Sequence, residues 1–429
     1  LSQVGKGTSP ESPTARIGLP ESVSSRAGRL NIIHTPDCKL TGSRMTTPPK
    51  ILYLVTEDWY FCSHRLPHAI AAMQAGYVVT VATRVRLHGD LITAAGIRLI
   101  PLAWSRRERN PFRALQDLWQ VYRIIRAEQP DLLHNVALKP VLYGSLAAAW
   151  GRVPRVVNAL AGLGSLYTSD RLRLRLLRIL LSPLLHALLS RAGTRVIFQN
   201  PDDLAVLTHQ AGIPARQAVL IRGAGVDTDQ LVPVPEPDAP PVLVLLAARM
   251  LWSKGIGEFV AAARILKERG HDGIRFVLVG ESDPDNPDAI SLAHLTDWQA
   301  SGIVEWWGHC SDMPAVLGRS HIVCLPSTYG EGIPRILLEA AAAGRPIITT
   351  DWPGCREVVH HGHNGLLVPP RDPAALAEAV ATLGRDPEQR RDMGHRGRQI
   401  AIREFTLTHV VAEILTVYGA LLALPDSEL

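Results

Sequence analysis

Short apolar runs alternate with longer helical stretches along this chain, and a proline-rich segment interrupts the alternation once. Ile51–Val55 is an apolar run, followed by a helical stretch at Leu66–Gln74 and strand-like runs at Tyr77–Ala82 and Ile97–Leu102. Asn110-Pro111 supplies an N-cap and a first-turn proline for a helix reaching about Glu128, which Pro130 ends. Asp131–His134, Val153–Val157, Arg195–Phe198 and Ala218–Ile221 continue the strand series. Strands alternating with helices build βαβ units and a parallel sheet.

The segment Val232-Pro-Val-Pro-Glu-Pro-Asp-Ala-Pro-Pro241 has the composition of a stiff, extended linker. The alternation then restarts, with strands expected at 242–247, 275–279, 303–305, 321–325 and 346–350. Helices are expected at 255–269 and 334–343, and a helical tail from Pro373 to Leu424. The expected organisation is a disordered leader at 1–49, an N-terminal domain at 50–225, a linker at 226–241 and a C-terminal domain at 242–405. A last helix within 406–429 is expected to pack back toward the N-terminal domain. The fold class is α/β: two doubly wound, Rossmann-like domains facing a central cleft, where ligands bind beyond the carboxyl ends of the strands.

Residues 1–49 are rich in Ser, Thr, Pro and Gly without a sustained period. Met45 precedes the first strand, so the leader reads either as an extension before a natural start at Met45 or as a genuine flexible tail. Hydrophobic residues make up 46% and charged residues 20%, which excludes wholesale disorder. Five scattered cysteines (Cys38, Cys62, Cys310, Cys324, Cys355) form no CxxC pair, which argues against a zinc knuckle or disulfide framework and for a reducing, cytoplasmic setting. The formal charge of +5 suits anionic phosphates or an anionic membrane surface without calling for nucleic acid. No apolar run reaches the ~18 residues of a membrane span, and no secretory h-region appears in the first 50 residues.

The strongest chemical signal is Tyr329-Gly330-Glu331-Gly332-Ile333-Pro334-Arg335-Ile336-Leu337-Leu338-Glu339, which follows an apolar strand and opens a helix. Unpaired N–H groups at such a helix start make a phosphate seat. Glu331 beside it would bind sugar hydroxyls, and Glu339, two turns in, would hold a ribose diol. On spacing alone a capped surface helix with a solvated Glu339 fits as well. The strand at Leu243–Ala248 runs into Arg249-Met-Leu-Trp-Ser-Lys254-Gly255. Two cations at a strand end suit a diphosphate, Arg gripping bidentately and Lys as a point charge, unless both are simply solvated.

Together these residues resemble the retaining GT-B glycosyltransferases of the large family-four type, over about residues 50–420. That family carries a Glu-x7-Glu motif, here Glu331 and Glu339, and an Arg and Lys after the first strand of its C-terminal domain, here Arg249 and Lys254. Gly223-Ala-Gly-Val-Asp227 at the linker entry also matches. The resemblance implies retaining sugar transfer from a nucleotide-diphosphate donor, a UDP-hexose or UDP-N-acetylhexosamine, without metal or cofactor. It makes 50–225 the acceptor-side domain and 242–405 the nucleotide-sugar domain. It places the base near Trp307-Gly308, the ribose on Glu339, and the diphosphate on Arg249, Lys254 and N–H groups near Arg335-Ile336, with Gly332 and Ile333 also lining the donor site. Arg249 and Lys254 would stabilise charge on the leaving diphosphate. The acceptor would attack on the leaving-group face, with donor phosphate taking its proton.

The family also has an N-terminal His near the reacting sugar, matched in position by His134, expected at a strand's carboxyl end facing the cleft. Glu331 and His134 would orient the sugar. Trp59-Tyr-Phe-Cys-Ser-His64-Arg65-Leu-Pro67 replaces the family's frequent Gly-Gly loop and, with His64 as a substrate contact, resembles the subgroup that builds bacterial surface polysaccharides on polyprenyl diphosphate carriers. His134–Pro140, Asn158–Gly164 and Phe198-Gln-Asn200 share that resemblance. Pro334 departs from the family's common glycine and has no N–H to offer. The remaining readings are a GT-B nucleotide-sugar epimerase and a non-catalytic sugar-nucleotide-binding protein.

Three patterns are discounted as metal sites. Asp227-Thr-Asp229 reads as turn chemistry, Asp283–Asp288 lacks the Gly and Glu of a calcium loop, and His360-His361-Gly-His363 is marked as a turn by its glycines. Finally, residues 171–191 hold five Arg and no acid; Arg171, Arg175, Arg178 and Ser182 share one helical face and leucines cover most of the rest. Such a helix either lies at a membrane interface, which would make the protein peripheral on the inner face of the plasma membrane, or is a core helix with a basic stripe to water.

Overall fold

The computed structural model describes residues 47–104, 110–164 and 172–425; residues 1–46 of the expected leader at 1–49, and Arg171, lie outside them. Two parallel sheets organise the chain, their central strands being apolar runs buried on both faces. The first contains β1 (Lys50–Glu57), β2 (Val78–Arg84), β3 (Arg98–Pro101), β4 (Leu132–Val136), β5 (Arg155–Leu160), β6 (Thr194–Phe198) and β7 (Ala218–Leu220), ordered 3-2-1-4-5-6-7. The second contains β8 (Val242–Ala247), β9 (Ile274–Val279), β10 (Glu305–Trp306), β11 (Ile322–Leu325), β12 (Ile347–Thr350) and β13 (Gly365–Val368), ordered 10-9-8-11-12-13. Both are doubly wound, with strand order reversing beside the first strand of each sheet.

The first sheet carries α1 (Asp58–His64), α2 (Leu66–Gln74) and α3 (Gly89–Ala94) toward one face, and α4 (Pro111–Glu128), α5 (Leu138–Gly151), α6 (Leu172–Leu189) and α7 (Pro201–Gln210) toward the other. The second carries α8 (Ile256–Glu268), α9 (Leu292–Ala300), α10 (Met313–Gly318), α11 (Arg335–Ala342), α12 (Pro373–Arg385) and α13 (Pro387–Glu404). α14 (Leu407–Leu422) completes the first domain's core.

Local sequence chemistry sets many of the boundaries. Asn110 caps α4 by accepting from the Phe112 N–H at 2.9 Å, with Pro111 in the first turn. The expected tail from Pro373 is three helices, because Asp386-Pro387 and Thr406 each cap a new start. The expected strand at 303–305 is the two-residue β10, one of the sheet's edges. Short β13 follows a turn at His360–Asn364, whose glycines hid the strand behind them. The proline-rich segment docks on the second domain: Glu236 pairs with Arg390 at 3.0 Å, and the Pro235 and Pro237 carbonyls accept from Arg345 and His321.

α14 returns to the first sheet by a short crossing, where the Val226 N–H donates to the Phe405 carbonyl and the Leu407 N–H to the Val226 carbonyl, both at 2.9 Å. Val410, Ile414 and Tyr418 then seal the core over β1 and β4. The Tyr418 hydroxyl meets the Tyr53 hydroxyl at 2.7 Å and His134 Nδ1 at 2.5 Å, all three side chains being fully buried. Tyr418→Phe leaves both partners buried and short of a bond. It is expected to destabilise the protein by about 1–3 kcal/mol, read as a lowered urea midpoint with unchanged m.

Candidate active site

The carboxyl edges of both sheets contribute loops to one crevice. After β8 the chain passes Arg249 and makes a single 3₁₀ turn, Trp252–Lys254, ending at Gly255. Gly255 has φ of +77°, and a Cβ there would stand 2.1 Å from the Pro326 carbonyl oxygen. Only glycine lets this turn lie on the loop after β11, and the Thr328 N–H bonds the Ser253 carbonyl at 2.9 Å. That contact brings Lys254 to Glu331: Nζ hydrogen-bonds Oε1 and stands 5.5 Å from the centre of the Tyr329 ring. Lys254 is buried, so a paired charge lies at the crevice floor.

Arg249 donates from Nη1 to Asp283 Oδ2 at 3.0 Å and lies 5.3 Å from the Trp59 ring centre. Arg335 donates from Nε to Glu339 Oε1 at 2.6 Å and from Nη1 to the Ser63 carbonyl. Burial raises the Glu339 carboxyl above its ordinary pKa, and Arg335 opposes that shift. Pro334 stands at the N-cap of α11 with no side-chain cap, leaving the first-turn N–H groups of Arg335 and Ile336 aimed outward along the helix dipole. The Ile333 and Ile336 side chains belong to the second domain's core, so only their backbones can serve a ligand. Trp307 is partly buried, its Nε1 donating to Glu305 Oε2 at 3.2 Å and its ring 4.2 Å from the Arg319 guanidinium; Gly308 leaves open space beside its α-carbon.

The loop carrying Glu331 is held from the opposite domain. The Gly332 N–H donates to the Ala161 carbonyl at 2.9 Å, the Gly164 N–H to the Gly330 carbonyl at 2.7 Å, and the Ile333 N–H to Gln199 Oε1 at 3.2 Å. A Cβ on Gly162 would come within 2.4 Å of Glu331 Cα, and one on Gly332 within 2.0 Å of Gln199 Oε1. Gly332 and Ile333, expected to line the donor site, thus have their N–H groups engaged across the crevice in this arrangement.

α1 forms the facing wall. His64 stacks on Tyr60 at 4.2 Å, accepts or donates with Ser63 Oγ at 2.6 Å, and sits near Arg335. Burial and the charges of Arg335 and Arg65 push its pKa down to about 3, so the ring is neutral. Tyr60 lies within electrostatic reach of Glu331 and Arg65. His134 requires a correction. It stands in the middle of β4, fully buried, stacked on Tyr53 at 4.8 Å and bonded to Tyr418. With period-two alternation its side chain joins Leu132 and Val136 in the core under α14, away from the crevice. It is a core histidine, and burial holds it well below its ordinary pKa.

Comparison with known proteins agrees with this geometry. A family described as "Glycosyl transferase 4-like" matches residues 50–200, and one described as "Glycosyl transferases group 1" matches residues 241–386. An N,N'-diacetylbacillosaminyl-diphospho-undecaprenol alpha-1,3-N-acetylgalactosaminyltransferase of Campylobacter jejuni is 29% identical over 321 residues, covering 72% of this chain and 82% of that protein. The chain is a GT-B glycosyltransferase. Solved structures share its fold: HepE of Anabaena with UDP and glucose (TM-score 0.71, 20% identity, 87% of this chain and all of that one) and a sucrose-phosphate synthase of Thermosynechococcus elongatus (TM-score 0.71, 22% identity, 87% and 99%).

The transferase brings together Lys254, Glu331, Arg335, Glu339 and His64, with Arg249 beside Trp59, and leaves His134 beneath them. Reading the sequence missed Gln199, Asp283, Trp59 and Tyr60 as parts of the crevice. Asp283 lay in a segment weighed only as a calcium loop, and Gln199 lay in Phe198-Gln-Asn200, which carried a subgroup resemblance without a role for the residue. Gln199→Ala frees the Ile333 N–H and loosens the loop. It is expected to lower the kcat of glycosyl transfer roughly 10- to 100-fold, with little change in thermal midpoint. Gln199→Glu keeps an acceptor oxygen and should recover much of the rate.

Proposed function

We propose that the protein is a retaining, metal-independent glycosyltransferase that moves a hexose or N-acetylhexosamine from a UDP-sugar to a lipid-linked saccharide, in the cytoplasm, during bacterial surface-glycan synthesis. The observation that carries this reading is the pairing of buried Lys254 with Glu331, set beside Arg249 and the uncapped start of α11. The diphosphate would meet Lys254, a free donor of Arg249 and the N–H groups of Arg335 and Ile336. The guanidinium has five donors and spends one on Asp283, so its grip on phosphate is not exhausted. Negative charge develops on the leaving diphosphate as the glycosidic bond breaks, and these groups stabilise it where little water competes. Lys254 also fixes Glu331, which would bind hydroxyls of the transferred sugar. Glu339, oriented by Arg335, would take the ribose, and the base would lie by Trp307 and Gly308.

Glu331 stands across the crevice from Tyr60 and His64, which would face the acceptor sugar with neutral, hydrogen-bonding rings. Support for a lipid-linked acceptor comes from the Campylobacter relative, whose name specifies a diphospho-undecaprenol-linked sugar. Charge stabilisation by Arg and Lys leaves no step that calls for a metal. Asp227 spends its carboxylate on the N–H groups of Asp229 and Gln230, each at 3.0 Å, which is turn geometry.

The test is steady-state release of UDP from UDP-sugars with and without a lipid-linked acceptor, with the anomer of the product read by NMR. Acceptor-dependent release with retained configuration is expected; UDP-sugar binding without turnover would leave a sensor instead. Arg249→Ala and Lys254→Ala should each reduce turnover on the order of 10²-fold or more in folded protein. Near-wild-type rates in either would remove the diphosphate assignment. Initial rates in EDTA should match those without it, and rates abolished by EDTA and restored by Mg²⁺ or Mn²⁺ would overturn metal independence.

A further inference from the structure

We propose that the first halves of α4 and α6 form a docking surface for an anionic lipid bilayer at the rim of the crevice. Phe112, Leu115 and Trp119 on α4, and Leu176, Ile179 and Leu180 on α6, are each 53–76% exposed. Single exposed apolar side chains are ordinary, but two helices presenting such groups in sequence are not. In α6 no residue from 172 to 181 is buried, while Leu185, Leu188 and Leu189 in its second half are. The core therefore covers only the far end of this helix and leaves the near half uncovered.

Topology puts both uncovered halves on one side. α4 follows β3 and α6 follows β5, so both helices start at the carboxyl edge of the sheet, the edge that holds the Glu331 loop through Ala161 and Gly164. α5 packs against both and lies between them. With packed helices about 10 Å apart, the two patches stand roughly 20 Å from each other on one helical layer.

Charge selects the occupant. Besides His186, the exposed ionisable side chains of the two helices are arginines: Arg113, Arg123 and Arg126 on α4, Arg173 and Arg175 on α6. α6 contains no acid, and both acids of α4 are paired, Asp117 with Lys139 at 2.8 Å and Glu128 with Arg98 at 2.9 Å. A second copy of the chain on this face would set arginine against arginine. Anionic headgroups meet the arginines while acyl chains cover Leu, Phe and Trp. No helix among the described residues is long and apolar enough to cross a membrane, so the contact is interfacial. Its use, presenting a lipid-linked acceptor to the crevice, rests on the function proposed above; the binding itself does not.

Flotation of the full chain with phosphatidylcholine vesicles, with and without phosphatidylglycerol, tests the surface. Binding is expected only with phosphatidylglycerol, weakening as salt rises. Arg173→Gln and Arg175→Gln should each lower partitioning about fivefold. Trp119→Ser with Leu180→Ser should lower it at least about tenfold, with turnover of a soluble acceptor analogue unchanged. Equal partitioning to both vesicle types, or unaltered partitioning of the folded variants, overturns the proposal. So does a dimer in gel filtration that Leu180→Ser dissociates, which would assign the face to a second copy. Vesicle binding without turnover of any lipid-linked acceptor would leave the surface standing and remove the acceptor reading.

Discussion

Backbone hydrogen bonds across the crevice hold the Glu331 loop, and the arrangement of the site depends on them. Ala161, Gly164 and Gln199 of one domain take the polar groups of Gly330, Gly332 and Ile333 of the other. The approach is close enough that Gly162 and Gly332 have no room for a Cβ, and Gly354, whose Cβ would stand 1.7 Å from the Gly332 carbonyl oxygen, closes the other side. Glu331 is therefore positioned by both domains at once. Separating them would release two N–H donors beside Glu331, so the placement of this loop depends on contact between the two domains.

The same economy governs the charges beneath the site. Lys254 and Arg249 each pair with a carboxylate on a neighbouring loop, and Arg335 spans Glu339 and the Ser63 carbonyl. Arg65 differs. It is almost wholly buried, its Nε and Nη2 have no partner among the described residues, and its Nη1 meets His68 Nδ1 at 3.4 Å. Its charge adds to burial in lowering the pKa of His64, His68 and His134, so a cluster of imidazoles around it stays neutral. Neutral rings can pack on tyrosines and accept or donate hydrogen bonds without the desolvation cost of a second buried cation.

α14 ties the two halves together mechanically. It leaves the second domain at Phe405, pairs with Val226 at the crossing, and ends as part of the first domain's core. Arg222 reinforces the crossing by bonding Glu404 at 2.7 Å and Glu357 at 3.0 Å while lying over the Phe405 ring. The helix closes the face of the first sheet that α1, α2 and α3 leave open, and it traps His134 in the process.

Sequence alone pointed to the sheet class, because regular alternation of apolar runs with helical stretches favours βαβ units with parallel strands. It pointed to the two loops that meet at the crevice, because Arg249-to-Lys254 and Glu331-to-Glu339 each follow an apolar run and open a helix. What it could not fix was direction at right angles to the strand. His134 lies on a strand whose carboxyl end meets the crevice, yet its side chain alternates into the core, where Tyr418, 284 residues away, receives it. Gln199 and Asp283 entered the crevice for the same reason: their partners are distant in sequence, so no local period announces them. Whether the leucines of α6 were core or surface was likewise open, since an apolar stripe does not record what covers it. Only the tertiary structure decided that, by running out of core halfway along the helix.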